Sequence, residues 1–205
     1  MYGLERRSIM EHYFSENPST AHELRKFEYE VKGHKIFFTT DKGVFSRLNV
    51  DKGSDLLIRS IPEGIGGCML DMGCGYGAIG LSLAKVNPSL CVTMVDINQR
   101  ALDLARQNAK TNGVDNVVIY KSDGFSNVKG TFDYIVTNPP IRAGKDKVYT
   151  IFEQSRDYLR KGGMFFVVIQ KRQGGPSAVE KLMSIYGNCE KIAKSGGYWV
   201  LQSVK

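Results

Sequence analysis

The most constraining feature of this chain is an alternation that begins at Gly66. Apolar runs of strand length recur at residues 68–72, 90–96, 117–121, 132–138 and 164–170. Helical spacing separates most of them. One helix opens in the glycine-rich turn after Met72 and ends near Lys85. A second spans 99–110 and closes at Asn112-Gly113, a favourable C-terminal cap pair, and a third spans 148–159. A fourth covers 176–186, with Pro176 in its first turn. Strands alternating with helices imply a parallel sheet with crossover connections. The near-continuous apolar run 164–170 is what a strand covered on both faces looks like.

The two ends of the chain depart from that rhythm. At the C-terminus, residues 189–193 and 198–204 flank Ser195-Gly196-Gly197, so the sheet is expected to finish in an antiparallel hairpin. A dinucleotide-binding dehydrogenase keeps its last strand parallel. At the N-terminus, residues 1–18 show no clean period and read as a short helix or arm ending near Asn17-Pro18. Alternating Phe27, Tyr29, Val31 and Ile36, Phe38 around Lys32-Gly33-His34 predict a hairpin. Asp41-Lys42-Gly43 makes another turn, and a helix over 51–60, with Leu56, Leu57 and Ile61 inward, ends at Pro62. The expected organisation is an N-terminal extension, 1–62, packed on a core of 63–205.

Composition narrows the function classes. The longest apolar run, 164–169, is too short to cross a bilayer, and no apolar segment follows the charged start, so a cytoplasmic protein is expected. A formal charge of +7 favours polyanionic partners. The four cysteines form no C-x-x-C pair; Cys68 and Cys91 read as small buried hydrophobes, and no metal site is expected. His12, His22 and His34 lack ligand spacing and read as surface residues.

Two motifs carry chemistry. Asp71-Met72-Gly73-Cys74-Gly75-Tyr76-Gly77 follows the first core strand, and its glycines permit a sharp turn and a close approach to a ligand. Gly75 to Gly80 also satisfies the dinucleotide spacing G-x-G-x-x-G. Asp71 separates the readings: a carboxylate ahead of the glycines repels a pyrophosphate but suits a ligand bearing sulfonium and ammonium charge. Asp96, ending the second strand, is placed for ribose hydroxyls. Asp123, after the third, is placed for an adenine edge. The second motif, Asn138-Pro139-Pro140-Ile141, ends the fourth strand. Its prolines remove two N–H groups and hold Asn138 extended, leaving acceptors that suit an amine or amide nitrogen. The same tripeptide also ends ordinary strands.

Together Asp71 to Gly77, Asp96, Asp123 and Asn138-Pro139-Pro140 resemble a class I S-adenosylmethionine-dependent methyltransferase. Tyr13 to Pro18, Gly43-Val44-Phe45-Ser46, Asp51-Lys52-Gly53-Ser54 and Asn138 to Lys145 resemble, more narrowly, the stand-alone members of the bacterial 16S ribosomal RNA guanine-N2 methyltransferase C family. The resemblance implies a Rossmann-like α/β sheet and methylation of a guanine N2 in ribosomal RNA. It implies cofactor contacts from Asp71, Gly73, Gly75, Gly77, Asp96, Ile97, Asp123, Gly124 and Asn138. Asn138, Pro139 and Pro140 form the expected catalytic element. Two departures accompany it: the amino-terminal duplicate domain of the long members is absent, and Ile141 stands where many Asn-Pro-Pro enzymes carry an aromatic. Phe45 or Phe125 is the expected stacking surface instead. Arg142, Lys145, Lys147, Lys171 and Arg172 follow the fourth and fifth strands and are expected to form a phosphate track; Arg6, Arg7, Arg25 and Lys26 could extend it. Methylation of a protein glutamine amide, and an RNA-binding module without catalysis, are the competing readings.

Overall fold

The computed structural model describes residues 23–41, 49–140 and 144–205. The chain enters through a two-stranded hairpin, β1 (Arg25–Val31) and β2 (His34–Thr40). Lys32 and Gly33 at its tip both have positive φ, 50° and 74°, the mirror-image turn whose twist matches paired strands. Phe27 pairs with Phe38 and Tyr29 with Ile36, which puts the large apolar side chains on one face. Helix α1 (Lys52–Ser60) follows, with Asp51 as its N-cap rather than its first residue. Leu57, Ile58 and Ile61 are buried, whereas Leu56 is only half-buried.

The core elements are β3 (Gly67–Met72), α2 (Ala78–Val86), β4 (Leu90–Asp96), α3 (Gln99–Thr111), β5 (Val117–Lys121), β6 (Phe132–Thr137) and α4 (Lys145–Tyr158). They continue with β7 (Leu159–Gln170), a 3₁₀ turn (Lys171–Gln173), α5 (Gly175–Tyr186), β8 (Glu190–Ser195) and β9 (Tyr198–Val204). Strands β3 to β9 form one sheet in the order β5-β4-β3-β6-β7-β9-β8. All core pairings are parallel except β7–β9 and β8–β9. This is a Rossmann-like, mostly parallel sheet ending in an antiparallel hairpin. Helix α4 begins at Lys145, three residues earlier than its apolar spacing indicates, because its first turn is polar and exposed. Strand β7 reaches back to Leu159 through an irregular stretch at Gly162, whose N–H is held by the Lys205 carbonyl at 2.7 Å. Strand β8 starts at Glu190, and Cys189 lies just before it.

One apolar cluster joins the inner hairpin face and α1 to α2, α3 and one face of the sheet; a second packs α4 and α5 on the other face. Cys91 departs from the sequence reading: it is exposed, and Cys68 is half-buried, since both lie at the sheet edge away from the C-terminal strand ends. Cys74 is the buried cysteine. Strand order reverses between β3 and β6, and in an open sheet of this kind ligands bind in the crevice beyond the strand ends at such a reversal.

Candidate functional site

That crevice is where the two sequence motifs meet. Met72 pairs with Thr137 at the ends of β3 and β6, and Thr137 Oγ1 donates to the Met72 carbonyl at 2.9 Å. Gly73 and Asn138 therefore leave adjacent strands side by side. The turn between β3 and α2 needs its glycines: Gly73, Gly75 and Gly77 have φ of 74°, 56° and 97°, which other residues adopt only under strain. A Cβ on Gly73 or Gly75 would point into open space, as in a loop offering bare backbone to a ligand. A Cβ on Gly80 would lie 2.8 Å from Asp71 Oδ2 and 2.9 Å from Met94, so this glycine serves close packing of α2 on the sheet.

Two carboxylates stand behind the loop. Asp71 is fully buried: Oδ2 accepts from the Gly80 N–H at 2.8 Å, while Oδ1 has no partner among the described residues. Burial pushes its carboxyl up to about 7; the Gly80 N–H opposes the shift and the Asp96 charge adds to it. An unfolded Asp titrates near 3.9, about three units lower. Between roughly pH 4 and 7 the folded chain therefore holds a proton that the unfolded chain has released. The associated stability is fully present below about pH 4 and is lost as pH rises through about 7. Asp71→Asn keeps the acceptor for Gly80 and does not titrate, so its Tm should fall less than wild type across that window. Parallel melting curves would reject Asp71 as the group responsible. Asp96 holds the loop from the β4 end: Oδ2 accepts from Gly75 N at 2.8 Å and Oδ1 from Asn98 N at 2.9 Å. Burial raises its carboxyl too.

Asn138 is half-buried, followed by buried Pro139 and half-buried Pro140. Its Nδ2 donates to Asp51 Oδ1 at 3.2 Å and to Ser54 Oγ at 3.0 Å, both at the start of α1. Asp51 Oδ1 also accepts from Gly53 N and Ser54 N, so the helix cap doubles as the anchor for the amide. With both amide protons committed, the polar atom Asn138 has left to offer is the acceptor Oδ1. Ile97 follows Asp96 and is half-buried; Asp123 and Gly124 follow β5, Asp123 exposed and Gly124 at φ 52°. The site thus gathers strand-end acidic groups, bare glycine backbone and an oriented amide oxygen. Such a set suits a cationic nucleoside-like ligand beside an amine.

A family model, the methyltransferase small domain, matches residues 35–202. The chain belongs to that family. It is 46% identical over 200 residues to uncharacterized protein YbxB of Bacillus subtilis (strain 168), covering 96% of this chain and all of that one. It is 32% identical over 187 residues to ribosomal RNA small subunit methyltransferase C of Aliivibrio salmonicida, covering 89% of this chain and 53% of the relative. The solved T. thermophilus 16S rRNA N2 G1207 methyltransferase (RsmC), in complex with AdoMet and guanosine, aligns with a TM-score of 0.80 at 28% identity. That alignment covers 92% of this chain and 52% of the other. The chain thus spans about half the length of the ribosomal RNA methyltransferases it matches.

On the substrate side the structure corrects one expectation. Phe125 is 3% exposed and packs on Tyr158 with ring centroids 4.6 Å apart, so it is core and not a stacking surface. The loop folds inward there because Ser122 Oγ donates to the Gly124 carbonyl and accepts from Asn127 N. Phe45, Ile141 and Arg142 lie outside the described residues, as do the 1–18 arm, His12, His22 and the 43–47 segment. Lys145 and Lys147 are exposed in the first turn of α4, and Lys171 and Arg172 are exposed in the 3₁₀ turn after β7.

Three supporting residues escaped a reading of their roles from sequence: Asp51 and Ser54, quoted only within a family motif, and Asn108. Asn108 is fully buried on α3; its Oδ1 accepts from Thr39 N at 2.8 Å and its Nδ2 donates to the carbonyls of Thr39 and Tyr76 at 3.0 and 2.9 Å. One turn later Asn112 makes the same two-way clamp on Phe37. Four helical residues rise about 6 Å and two strand residues about 6.6 Å, so the two spacings nearly coincide. Only Asn108 also reaches the glycine turn. The available signal was a pair of asparagines, four apart, on the otherwise apolar face of α3 with Ala101, Ala105 and Ala109.

Proposed function

We propose that this chain transfers a methyl group from S-adenosylmethionine to the exocyclic N2 of a guanine in small-subunit ribosomal RNA, in the cytoplasm. The observation that carries the reading is the orientation of Asn138: its Nδ2 is spent on Asp51 and Ser54, so Oδ1 faces the task of accepting an amine N–H. The relatives named as ribosomal RNA methyltransferases and the guanosine bound by the T. thermophilus protein support the choice of substrate.

S-adenosylmethionine is the cofactor, and it supplies a methyl already activated on a sulfonium. The residues present fit it: the unpartnered Oδ1 of Asp71 and the open space above Gly73 and Gly75 are features that such a ligand completes. Asp71 offsets its positive charge, with Gly73, Gly75 and Gly77 giving backbone contact. Asp96 accepts from the ribose hydroxyls. Ile97, Asp123 and Gly124 enclose the adenine. Asn138 Oδ1 and the Pro139 carbonyl accept the two amine N–H bonds and aim the nitrogen, with Pro140 stiffening the turn. Holding two reactants in line lowers a barrier by up to about 7–11 kcal/mol, so positioning supplies much of the catalysis and no strong base is invoked. Residues 1–62 act as the extension that carries Asp51 and Ser54 to the 63–205 core. Lys145, Lys171 and Arg172, with Arg142, contact RNA phosphates; Phe45 and Ile141 border the base.

Transfer of radiolabelled methyl to naked 16S RNA, to small subunits and to protein tests this, followed by nucleoside analysis. Label in N2-methylguanosine is the expected result. Label in a protein amide would establish the glutamine reading instead, and cofactor binding without transfer to any of the three would leave an RNA-binding module.

The asparagine clamp supplies a further expectation. Asn108→Ala takes this partner from Thr39 N–H and from the carbonyls of Thr39 and Tyr76, each buried unsatisfied group costing about 1–3 kcal/mol, and the Tyr76 carbonyl belongs to the cofactor loop. Both stability and cofactor affinity should fall. Asn112→Ala should lower stability and leave affinity intact. Denaturant midpoints beside calorimetric titrations make the comparison, and equal affinity losses in the two variants would rule out a loop-specific role for Asn108.

A further inference from the structure

The β8–β9 hairpin carries charges that the proposed chemistry does not use. Its tip reaches the catalytic edge of the sheet: the Gly197 carbonyl accepts from Lys171 N at 2.8 Å. A Cβ on Gly196 would lie 3.9 Å from the Lys52 side chain, and one on Gly53 would lie 3.1 Å from the Tyr198 ring. Lys52 and Gly53 adjoin Asp51, the residue that anchors Asn138. The hairpin tip, the start of α1 and the turn after β7 are therefore continuous with the site.

Five exposed cations lie beside this tip and along β8, the outermost strand that leads back from it: Lys52, Lys171 and Arg172 beside the tip, Lys194 next to it and Lys191 further back along the strand. Elsewhere on the surface carboxylates neutralise cations, as in Arg25–Glu23, Lys35–Glu28, Arg59–Asp55, Arg106–Asp103 and Arg160–Asp133. Among the described residues none of the five has a carboxylate partner. Two of them share one aromatic ring. Lys191 Nζ lies 3.6 Å and Lys171 Nζ 5.9 Å from the centroid of half-buried Trp199, whose ring packs closely enough on Gly175 that a Cβ there would be 3.0 Å away. Lys194 pairs with Trp199 across the strands. The indole is thus packed on Gly175 and receives two lysines, Lys171 from the β7 side and Lys191 from β8, so positive charge gathers around one ring and favours an anionic group there.

We propose that this hairpin edge is a second phosphate-contacting surface, which grips the single-stranded RNA flanking the target guanine while Asn138 holds the base. The inference rests on the RNA reading above and adds Lys52, Lys191, Lys194 and Trp199 to the residues that serve it. A single strand fits the geometry, because cations spaced along a narrow edge follow one backbone, and the order Asn138, Lys52, hairpin tip, Trp199 leads outward from the base.

Each neutralised phosphate on a single strand contributes about 0.7 to the slope of log K against log salt. Lys191→Ala/Lys194→Ala should therefore flatten that slope by roughly one to two units when labelled 16S RNA fragments are titrated at several salt concentrations. Affinity for S-adenosylmethionine should not change. Lys35→Ala/Lys181→Ala removes the same net charge from positions paired with Glu28 and Glu153 and should leave the slope as in wild type. RNA binding with an unchanged slope in the hairpin variant, or equal flattening in the control, overturns this inference alone. A wild-type protein with no RNA affinity overturns the RNA reading as well.

Discussion

Asn138→Ala should bind S-adenosylmethionine almost as wild type does and transfer methyl groups on the order of a hundred- to a thousandfold more slowly, the loss seen when one preorganised hydrogen-bonding group is removed from a reaction centre. The separation of the two effects is the informative part. Asn138 leaves the end of β6, whereas the carboxylates and glycines proposed for the cofactor belong to β3, β4, the turn after β3 and the loop after β5. Removing the amide also strips Asp51 and Ser54 of their shared donor, so some stability should be lost. Each such bond is worth about 0.5–1.5 kcal/mol net, which a modest fall in Tm would register. Ser54→Ala loses one of the two orienting bonds without touching Oδ1, and should show an intermediate rate. Single-turnover kinetics with saturating cofactor measures the step directly. Near-normal turnover in Asn138→Ala would reduce Asn-Pro-Pro to a strand-ending turn and remove the basis of the mechanism.

What the sequence reveals and what it hides follow from the range of the interactions. Strands β4 and β5 are legible to the residue, because an apolar run bounded by turn formers is a local signal. The first hairpin is legible in kind, its Lys32-Gly33 tip sitting between alternating runs, but its strands begin at Arg25 and at His34, which the sequence places before the first strand and in the turn. Side-chain direction inside a loop is not local. Phe125 follows a strand exactly as an exposed aromatic could, and only its packing on Tyr158, 33 residues later, assigns it to the core. Cys91 fails for a related reason: alternate residues of its strand face opposite sides of the sheet, and on the side of Cys91 and Thr93 the strand is covered less completely than on the side of Leu90, Val92 and Met94. Asn108 is the extreme case. A buried asparagine reads as a helix residue of indifferent propensity until its partners, Thr39 at a separation of 69 and Tyr76 at 32, come into contact. The residues proposed to carry the chemistry stand out because glycine, proline and strand-end aspartate have few other uses in such positions. Those that hold them in place do not.

The second large effect is expected at Asp96. Its carboxylate serves the turn with one oxygen and the start of α3 with the other, since Gly75 N and Asn98 N donate to Oδ2 and Oδ1 respectively. A carboxylate offers about four acceptor positions, so two backbone bonds leave capacity for the ribose hydroxyls. Burial makes this ionised group costly, which the backbone N–H groups of Asn98, Gly75 and Ile97 partly offset and bound hydroxyls would offset further. Asp96→Ala removes charge-assisted bonds worth about 1.5–3 kcal/mol and releases Gly75 at the same time, so the dissociation constant for S-adenosylmethionine should rise roughly ten- to a hundredfold or more. Asp96→Asn retains an acceptor without the charge. It should fall between the two, provided the melting temperature shows the turn still formed. Gly75 has φ of 56° and loses the carboxylate that holds its N–H in the alanine variant, so part of the effect should appear as slower association rather than faster release. Calorimetry fixes the equilibrium value and stopped-flow fluorescence the two rates. An unchanged dissociation constant in Asp96→Ala, or tight binding of NAD by the wild-type chain, would move the glycine turn back to the dinucleotide spacing it also satisfies and undo the cofactor assignment.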